Sequence, residues 1–174
     1  MRSLLHILIV IYYTSYHGLA VIFGAALGRS RARLDGHVLA WARGLVNGCG
    51  VRVRVIGLTP EPFAKPLLIM LNHRSHFDTP CLTTVTPRVP VFLAKAELRK
   101  VPIMGRAMAA FGMIFLDRRD GEKARATLAQ AVARIKAGEI LVMFPEGSRA
   151  KDGHTLGAFK KGGFHLALQS GAPI

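Results

Sequence analysis

The chain has 174 residues, with 24 Lys and Arg against 10 Asp and Glu, a net charge of +14. Half of it is apolar, 51%, and its pI near 10.9 goes with a mean hydropathy of +0.31. The length holds one domain with an appendage and a sizeable core. The charge asks for an anionic partner: nucleic acid, acidic lipid, a phosphorylated substrate or an acidic carrier protein. The hydropathy is high for a soluble nucleic-acid binder. RNA-binding aromatic signatures, zinc-ligand spacings and internal repeats are missing from the sequence, and basic plus apolar favours a membrane surface. Cys49 and Cys81 give no disulfide framework.

Leu4 to Leu27 is the longest apolar stretch, long enough to span a bilayer as a helix. Tyr12, Tyr13 and Tyr16 interrupt it, with His6 and His17. Tyrosines prefer the headgroup level, so the helix is expected to bend there or to lie in the interface. A cleaved signal peptide, with Arg2 ahead and small residues at Ala25-Ala26, is the competing reading. Arg29-Ser30-Arg31-Ala32-Arg33 forms a basic collar, which points to the cytoplasmic face and anionic headgroups. Leu34, Val38, Trp41 and Leu45 recur at helical spacing, with Val46 alongside, and Gly48 and Gly50 stop the helix. Trp41 is either an interfacial anchor or part of a helix packed on the domain.

Val51 to Ile56 alternates apolar and polar residues, the pattern of a strand with one wet face. A Pro-containing loop covers Gly57 to Lys65, and Pro66 to Leu71 reads as a buried strand. A helix follows Asp78 and ends near Pro87 to Pro90. Val91 to Ala94 is a short strand leading to Lys95, and Pro102 to Phe111 is a helix in which Gly105 allows close packing. Gly112 to Leu116 is a strand ending in Asp117-Arg118-Arg119. Asp120 caps a helix that Gly138 ends, with Ala124, Leu128, Val132 and Ile135 as its apolar stripe. Ile140 to Phe144 is a buried strand that runs into Pro145-Glu146-Gly147. Lys160 to Gln169 is a last helix. Strands alternating with helices predict an α/β fold, a largely parallel sheet flanked by helices, with an N-terminal helical membrane-associating element. The expected boundaries are 1–50 for that element and 51–174 for the α/β domain. Pro173-Ile174 falls where another strand should start, so the C-terminus reads as truncated.

Strand C-terminal ends and the loops after them build the ligand crevice of an open α/β sheet. Here they carry Asn72-His73-Arg74-Ser75-His76-Phe77-Asp78, then Asp117-Arg118-Arg119, then Pro145-Glu146-Gly147-Ser148-Arg149. A histidine fixed at a strand end, with one ring nitrogen held by a carboxylate, is a general base for a substrate hydroxyl. From spacing alone a His…Asp pair is more often structural, with Asp78 as a plain N-cap before Thr79-Pro80, and it is the two further segments that favour the base. Arginine's fork suits phosphate; any one Arg alone reads better as a solvated charge, and the repeated placement at strand ends is what favours phosphate. Lys95, at a strand end, is balanced between phosphate and solvent. His73, His76 and Asp78 as metal ligands, and Cys81 as a nucleophile, are weaker alternatives to a base and a core cysteine.

Asn72-His73 with Asp78 resembles the N-H-x4-D motif of the glycerolipid acyltransferases. Gly112 to Arg118 is similar to their Gly-x-x-Phe-x-Asp-Arg block. Phe144 to Arg149 resembles their Phe-Pro-Glu-Gly-Thr-Arg, with Ser148 replacing Thr, and Phe159-Lys160-Lys161-Gly162 resembles the Phe-Lys-x-Gly that follows. Within the family the likeness is to the 1-acyl-sn-glycerol-3-phosphate acyltransferases, which make phosphatidic acid. The resemblance implies acyl transfer from acyl-CoA or acyl-carrier protein to the free hydroxyl of lysophosphatidic acid, at the membrane, with no metal, no cofactor and no nucleic acid. His73 is then the expected base, with Asp78 holding its tautomer and Ser75 only a turn residue. Asn72, Lys95, Arg118, Glu146, Gly147, Ser148, Arg149 and Lys160 are the expected substrate-binding residues, Glu146 ordering an arginine or the glycerol hydroxyl. A different acceptor headgroup, such as lysophosphatidylglycerol or a lyso-ornithine lipid, is the nearest alternative. A non-catalytic, basic, anionic-lipid-binding protein is the next.

Overall fold

A computed structural model describes residues 2–57, 66–149 and 155–174. The expected loop from Gly57 to Lys65 lies almost wholly outside these. The chain forms two compact units. One gathers Met1–Leu58, Thr79–Val89 and Glu97–Met113, the other Thr59–Asp78, Pro90–Ala96 and Ile114–Ile174.

In the first unit α1 (Arg2–Ala26) runs unbroken through the tyrosines. A tight turn with Gly28 at φ +65° leads to α2 (Arg31–Gly48). The two helices are zipped by glycines on α2. A Cβ on Gly44 would overlap the Tyr13 ring, and one on Gly48 would come within 2.9 Å of Ile9. Trp41 donates from Nε1 to Thr14 Oγ1 at 3.2 Å. With Leu34, Ala42, Leu45 and Val46 buried, α2 is a packed helix that spends its indole N–H on α1. The core of the unit is Val21, Leu34 and Phe111, with Ala25, Val38, Ala107 and Ala110 around it. Arg31 of the basic collar is drawn into it. Its guanidinium lies 3.9 Å from the Phe111 ring centroid and donates to the Phe111 carbonyl at 3.1 Å. The opposite flank of α1 leaves Leu4, Leu8, Ile11 and Phe23 exposed. Ser3–Ala26 is long and apolar enough to cross a membrane.

The same unit holds a 3-10 turn, Ala96–Lys100, whose greater part falls here, and α4 (Met104–Phe111). A Cβ on Gly105 would sit 2.5 Å from the Leu98 and Arg99 carbonyls, so glycine is what lets the turn and α4 meet. The alternating Val51 to Ile56 forms no strand. It belongs to a unit without a strand among its described residues, and alternation forms no ladder without a partner strand; Val51 N–H instead donates to the Val46 carbonyl at 2.8 Å.

The second unit is built on a parallel sheet of β1 (Leu67–Met70), β2 (Val91–Lys95), β3 (Ile114–Leu116) and β4 (Ile140–Met143), in the order β1-β4-β2-β3. Strand β4 is central and all four of its side chains are buried. Each such side chain contributes about 1.5–3 kcal/mol relative to exposure, so β4 anchors the unit. Leu67 to Met70 stand opposite Ile140 to Met143 in register. One residue on, Leu71 N–H donates to the Met143 carbonyl at 3.1 Å, which keeps the two strand exits side by side.

Helix α5 (Gly121–Lys136) is capped by Asp120, whose carboxylate accepts from the Glu122 and Lys123 N–H groups. Its buried residues are Ala131 and Ile135, so the expected stripe is shifted toward Ala131. Helix α6 (Gly162–Ser170) buries Leu166 and Ala167. Gly163 brings it against Met143 and Met70. Helix α3 (Asp78–Val85) opens on the aspartate that ends the first segment of this unit.

Candidate active site

Because the sheet is parallel, the exits of β1, β3 and β4 share one edge. After β1 the chain turns tightly around the Asp78 carboxylate. Its Oδ2 accepts from His73 Nδ1 at 2.8 Å, from Arg74 N–H at 2.8 Å and from Ser75 N–H at 2.9 Å. With two peptide N–H groups donating to the same oxygen, Oδ2 is placed to accept a proton from His73 Nδ1 as well, an arrangement in which Nε2 is the ring nitrogen left outside this turn. The Ser75 hydroxyl accepts from Phe77 N–H at 3.1 Å and serves the turn. The His73 and Asp78 side chains are 22% and 23% exposed. The pair is thus partly desolvated and still reachable.

The exit of β4 supplies the rest. Phe144 stacks on the His73 ring, with centroids 4.0 Å apart and planes 19° from parallel. Glu146, only 6% exposed, accepts the His73 peptide N–H on Oε1 at 2.7 Å and the Gly157 N–H on Oε2 at 2.8 Å. Gly147 takes φ +76°, a left-handed conformation that glycine adopts without penalty. Its carbonyl accepts from Arg118 Nη1 at 2.8 Å, and a Cβ at Gly147 would overlap that guanidinium. Lys160 N–H donates to the Pro145 carbonyl at 3.0 Å, which ties the segment before α6 to the same turn.

Thus His73, Asp78, Glu146, Gly147 and Arg118 form one bonded cluster. Asn72, Ser148 and Arg149, in the segments after β1 and β4, are exposed, as are Lys95, the last residue of β2, and Lys160, ahead of α6. The His76 imidazole is held below its ordinary pKa of 6.5, first by partial desolvation and then by the positive charge of Arg149 and by His73. Arg149 therefore acts electrostatically on the His motif. The close approach at Gly147 is to the Arg118 side chain, and the Glu146 carboxylate, expected to order an arginine or the glycerol hydroxyl, holds backbone N–H groups. The sequence marks Phe144 only as the end of a strand and the opening of the Phe144 to Arg149 motif, with no role of its own, and Gly157 is not singled out and carries no signal. Among the described residues no group of three or more His, Cys, Asp or Glu side chains could hold a metal ion.

The family model described as Acyltransferase matches residues 52–174. The chain is 38% identical over 128 residues to the 1-acyl-sn-glycerol-3-phosphate acyltransferase of Saccharomyces cerevisiae, covering 72% of this chain and 42% of that protein. It is 35% identical over 126 residues to 1-acyl-sn-glycerol-3-phosphate acyltransferase alpha of Homo sapiens, covering 72% and 44%. The chain thus spans less than half the length of these curated relatives. Among solved structures, the 1-acyl-sn-glycerophosphate (LPA) acyltransferase PlsC of Thermotoga maritima aligns with a TM-score of 0.74 and 25% identity, over 99% of this chain and 73% of that one.

Proposed function

The chain belongs to the acyltransferase family, and from that premise we propose that it moves a fatty acyl group from a thioester to the free hydroxyl of 1-acyl-glycerol-3-phosphate, giving phosphatidic acid. The acyl donor is acyl-CoA or acyl-carrier protein. The names of the relatives support the acceptor. The observation that carries the chemistry is the His73–Asp78 bond of 2.8 Å, which leaves Nε2 as the proton acceptor.

In this mechanism Nε2 takes the proton of the acceptor hydroxyl as its oxygen attacks the thioester carbonyl. The C–O bond forms, the C–S bond breaks, and the thiolate leaves and receives the proton from the imidazolium. Asp78 stabilises that imidazolium while the reaction lasts. An acyl-enzyme is unnecessary, in keeping with a Ser75 hydroxyl committed to the turn. Arg118 and Arg149 are the phosphate ligands of choice because a guanidinium offers paired donors, with Lys95 and Lys160 as further cations. The exposed apolar flank of α1 supports work at a membrane, where both lipids reside, and the Arg29 to Arg33 collar supports its cytoplasmic face.

The test is transfer of labelled acyl groups from acyl-CoA, and separately from acyl-carrier protein, in detergent micelles. Acceptors are lysophosphatidic acid, lysophosphatidylglycerol and a lyso-ornithine lipid, with parent and His73→Ala protein side by side. Phosphatidic acid from the parent, and a loss of about 10²- to 10⁴-fold in the variant, is the expected result. Transfer to no acceptor from either donor overturns the function, and near-parent activity of His73→Ala overturns the base.

A further inference from the structure

We infer that Glu146 is a positioning residue for His73, acting through the His73 peptide N–H, rather than a ligand of the acceptor. This rests on the acyl-transfer role of His73 given above.

His73 is held at three points. Asp78 grips Nδ1. Phe144 covers one ring face. Glu146 grips the peptide N–H at 2.7 Å. Two of the three come from the exit of β4, so the β4 turn governs both the backbone and the ring plane of the base. The carboxylate is 6% exposed. A buried carboxylate is costly unless its oxygens are satisfied, and here each oxygen accepts one N–H, from His73 and from Gly157. Its hydrogen bonds are thus spent on joining two segments, the turn after β1 and the stretch before α6, across its own.

The space at Gly157 fits the same tether. A Cβ there would lie 2.7 Å from Glu146 Oε2, 3.2 Å from its Cγ and 3.3 Å from its Cβ. The φ of Gly157 is not among the positive values. The bare Gly157 backbone therefore leaves the space that the Glu146 carboxylate fills, and a Cβ at 157 would have to push that carboxylate aside. Placing a general base matters greatly, since a shift of about 1 Å costs on the order of 10²-fold in rate. A group that only sets that placement should change turnover and leave acceptor affinity alone.

The experiment compares parent, Glu146→Gln and Gly157→Ala in the full chain. Glutamine keeps the shape but turns an NH₂ donor toward one of the two N–H groups. Alanine at 157 pushes the carboxylate off both. Three readouts are taken: kcat and KM for lysophosphatidic acid, its affinity without acyl donor, and amide hydrogen exchange at His73 and Gly157. Both variants should lose about 10²-fold in kcat. Acceptor KM and affinity should stay within about threefold, less than one good hydrogen bond is worth. Exchange at His73 should quicken in Gly157→Ala, and at His73 or Gly157 in Glu146→Gln. The tether is overturned by a rise in acceptor KM or a loss of affinity of tenfold or more with kcat kept. Unchanged exchange at these two amides in both variants also overturns it. A parent inactive with every acceptor would defeat the proposed function instead, while the exchange readout would still decide the tether.

Discussion

Asp78→Asn separates the charge of Asp78 from its shape. Oδ2 accepts from one ring nitrogen and two peptide N–H groups. Asparagine can keep all three only by placing its carbonyl oxygen there, with its NH₂ turned away. The His73 tautomer of the proposed mechanism is thereby retained, and what disappears is the negative charge beside the imidazolium that this mechanism forms during reaction. Two unit charges at the 2.8 Å of this pair attract by about 6 kcal/mol at an effective dielectric of about 20. The side chains are about a fifth exposed, and the imidazolium charge is spread over the ring, so about 2–4 kcal/mol is the reasonable share. That predicts a fall in kcat of about 30- to 900-fold, with acceptor KM unchanged. Steady-state acyl transfer with lysophosphatidic acid measures it. A loss below threefold would show that the charge has no part in catalysis. A loss near 10⁴-fold, the size expected of a reversed tautomer, would mean that the amide donates to the ring and that the two peptide N–H groups do not dictate its orientation.

Phe144→Leu keeps an apolar body but removes the ring stacked on His73. Aromatic pairing is worth about 0.5–1.5 kcal/mol, so kcat should fall about two- to thirteenfold with little change in KM, and an unchanged kcat would show the stack to be incidental. Gly147→Ala forces a side chain into φ +76° and against the Arg118 guanidinium. The conformation alone costs about 1–2 kcal/mol, so the melting temperature should drop by several degrees and acceptor KM should rise as Arg118 is displaced. The His76 ring, observed by chemical-shift titration, should protonate below 6.5, and Arg149→Gln should move its midpoint upward. The unfolded chain takes the His76 proton first as pH falls through that window, so stability should decline with acidification there. A midpoint at or above 6.5 would refute it.

Much of the second unit was legible because its signals are local. Leu67 to Met70 and Ile140 to Met143 are uninterrupted apolar runs in a parallel sheet, the second buried throughout and the first in its leading half. Asp120 and the helical spacing after it marked α5 before any tertiary contact is known. The strand reading of Val51 to Ile56 failed because a strand is a property of two segments, and no partner for it lies among the described residues of its unit. The route of α1 through three tyrosines was equally hidden. The ring of Tyr13 is taken up by the bare backbone of Gly44, a pairing that composition does not announce.

The site divides along the same line. His73, Arg118 and Glu146 each follow an apolar run, and once the sheet is parallel their exits must share an edge. Which atom each would touch was another matter. With β4 next to β1, the Glu146 turn is the immediate neighbour of the His73 turn, and a carboxylate there meets peptide N–H groups before it meets a ligand. Arg118 leaves from β3, two strands away from β4, a gap of about 10 Å at normal strand spacing. Among the residue types, a long side chain with several donors is what spans such a gap and still ends in a directed bond, and its Nη1 reaches the Gly147 carbonyl. Residue types marked the edge where chemistry is gathered. Strand order decided that Glu146 and Gly147 would be spent on building that edge, and in the proposed mechanism His73 Nε2 is left for the substrate hydroxyl.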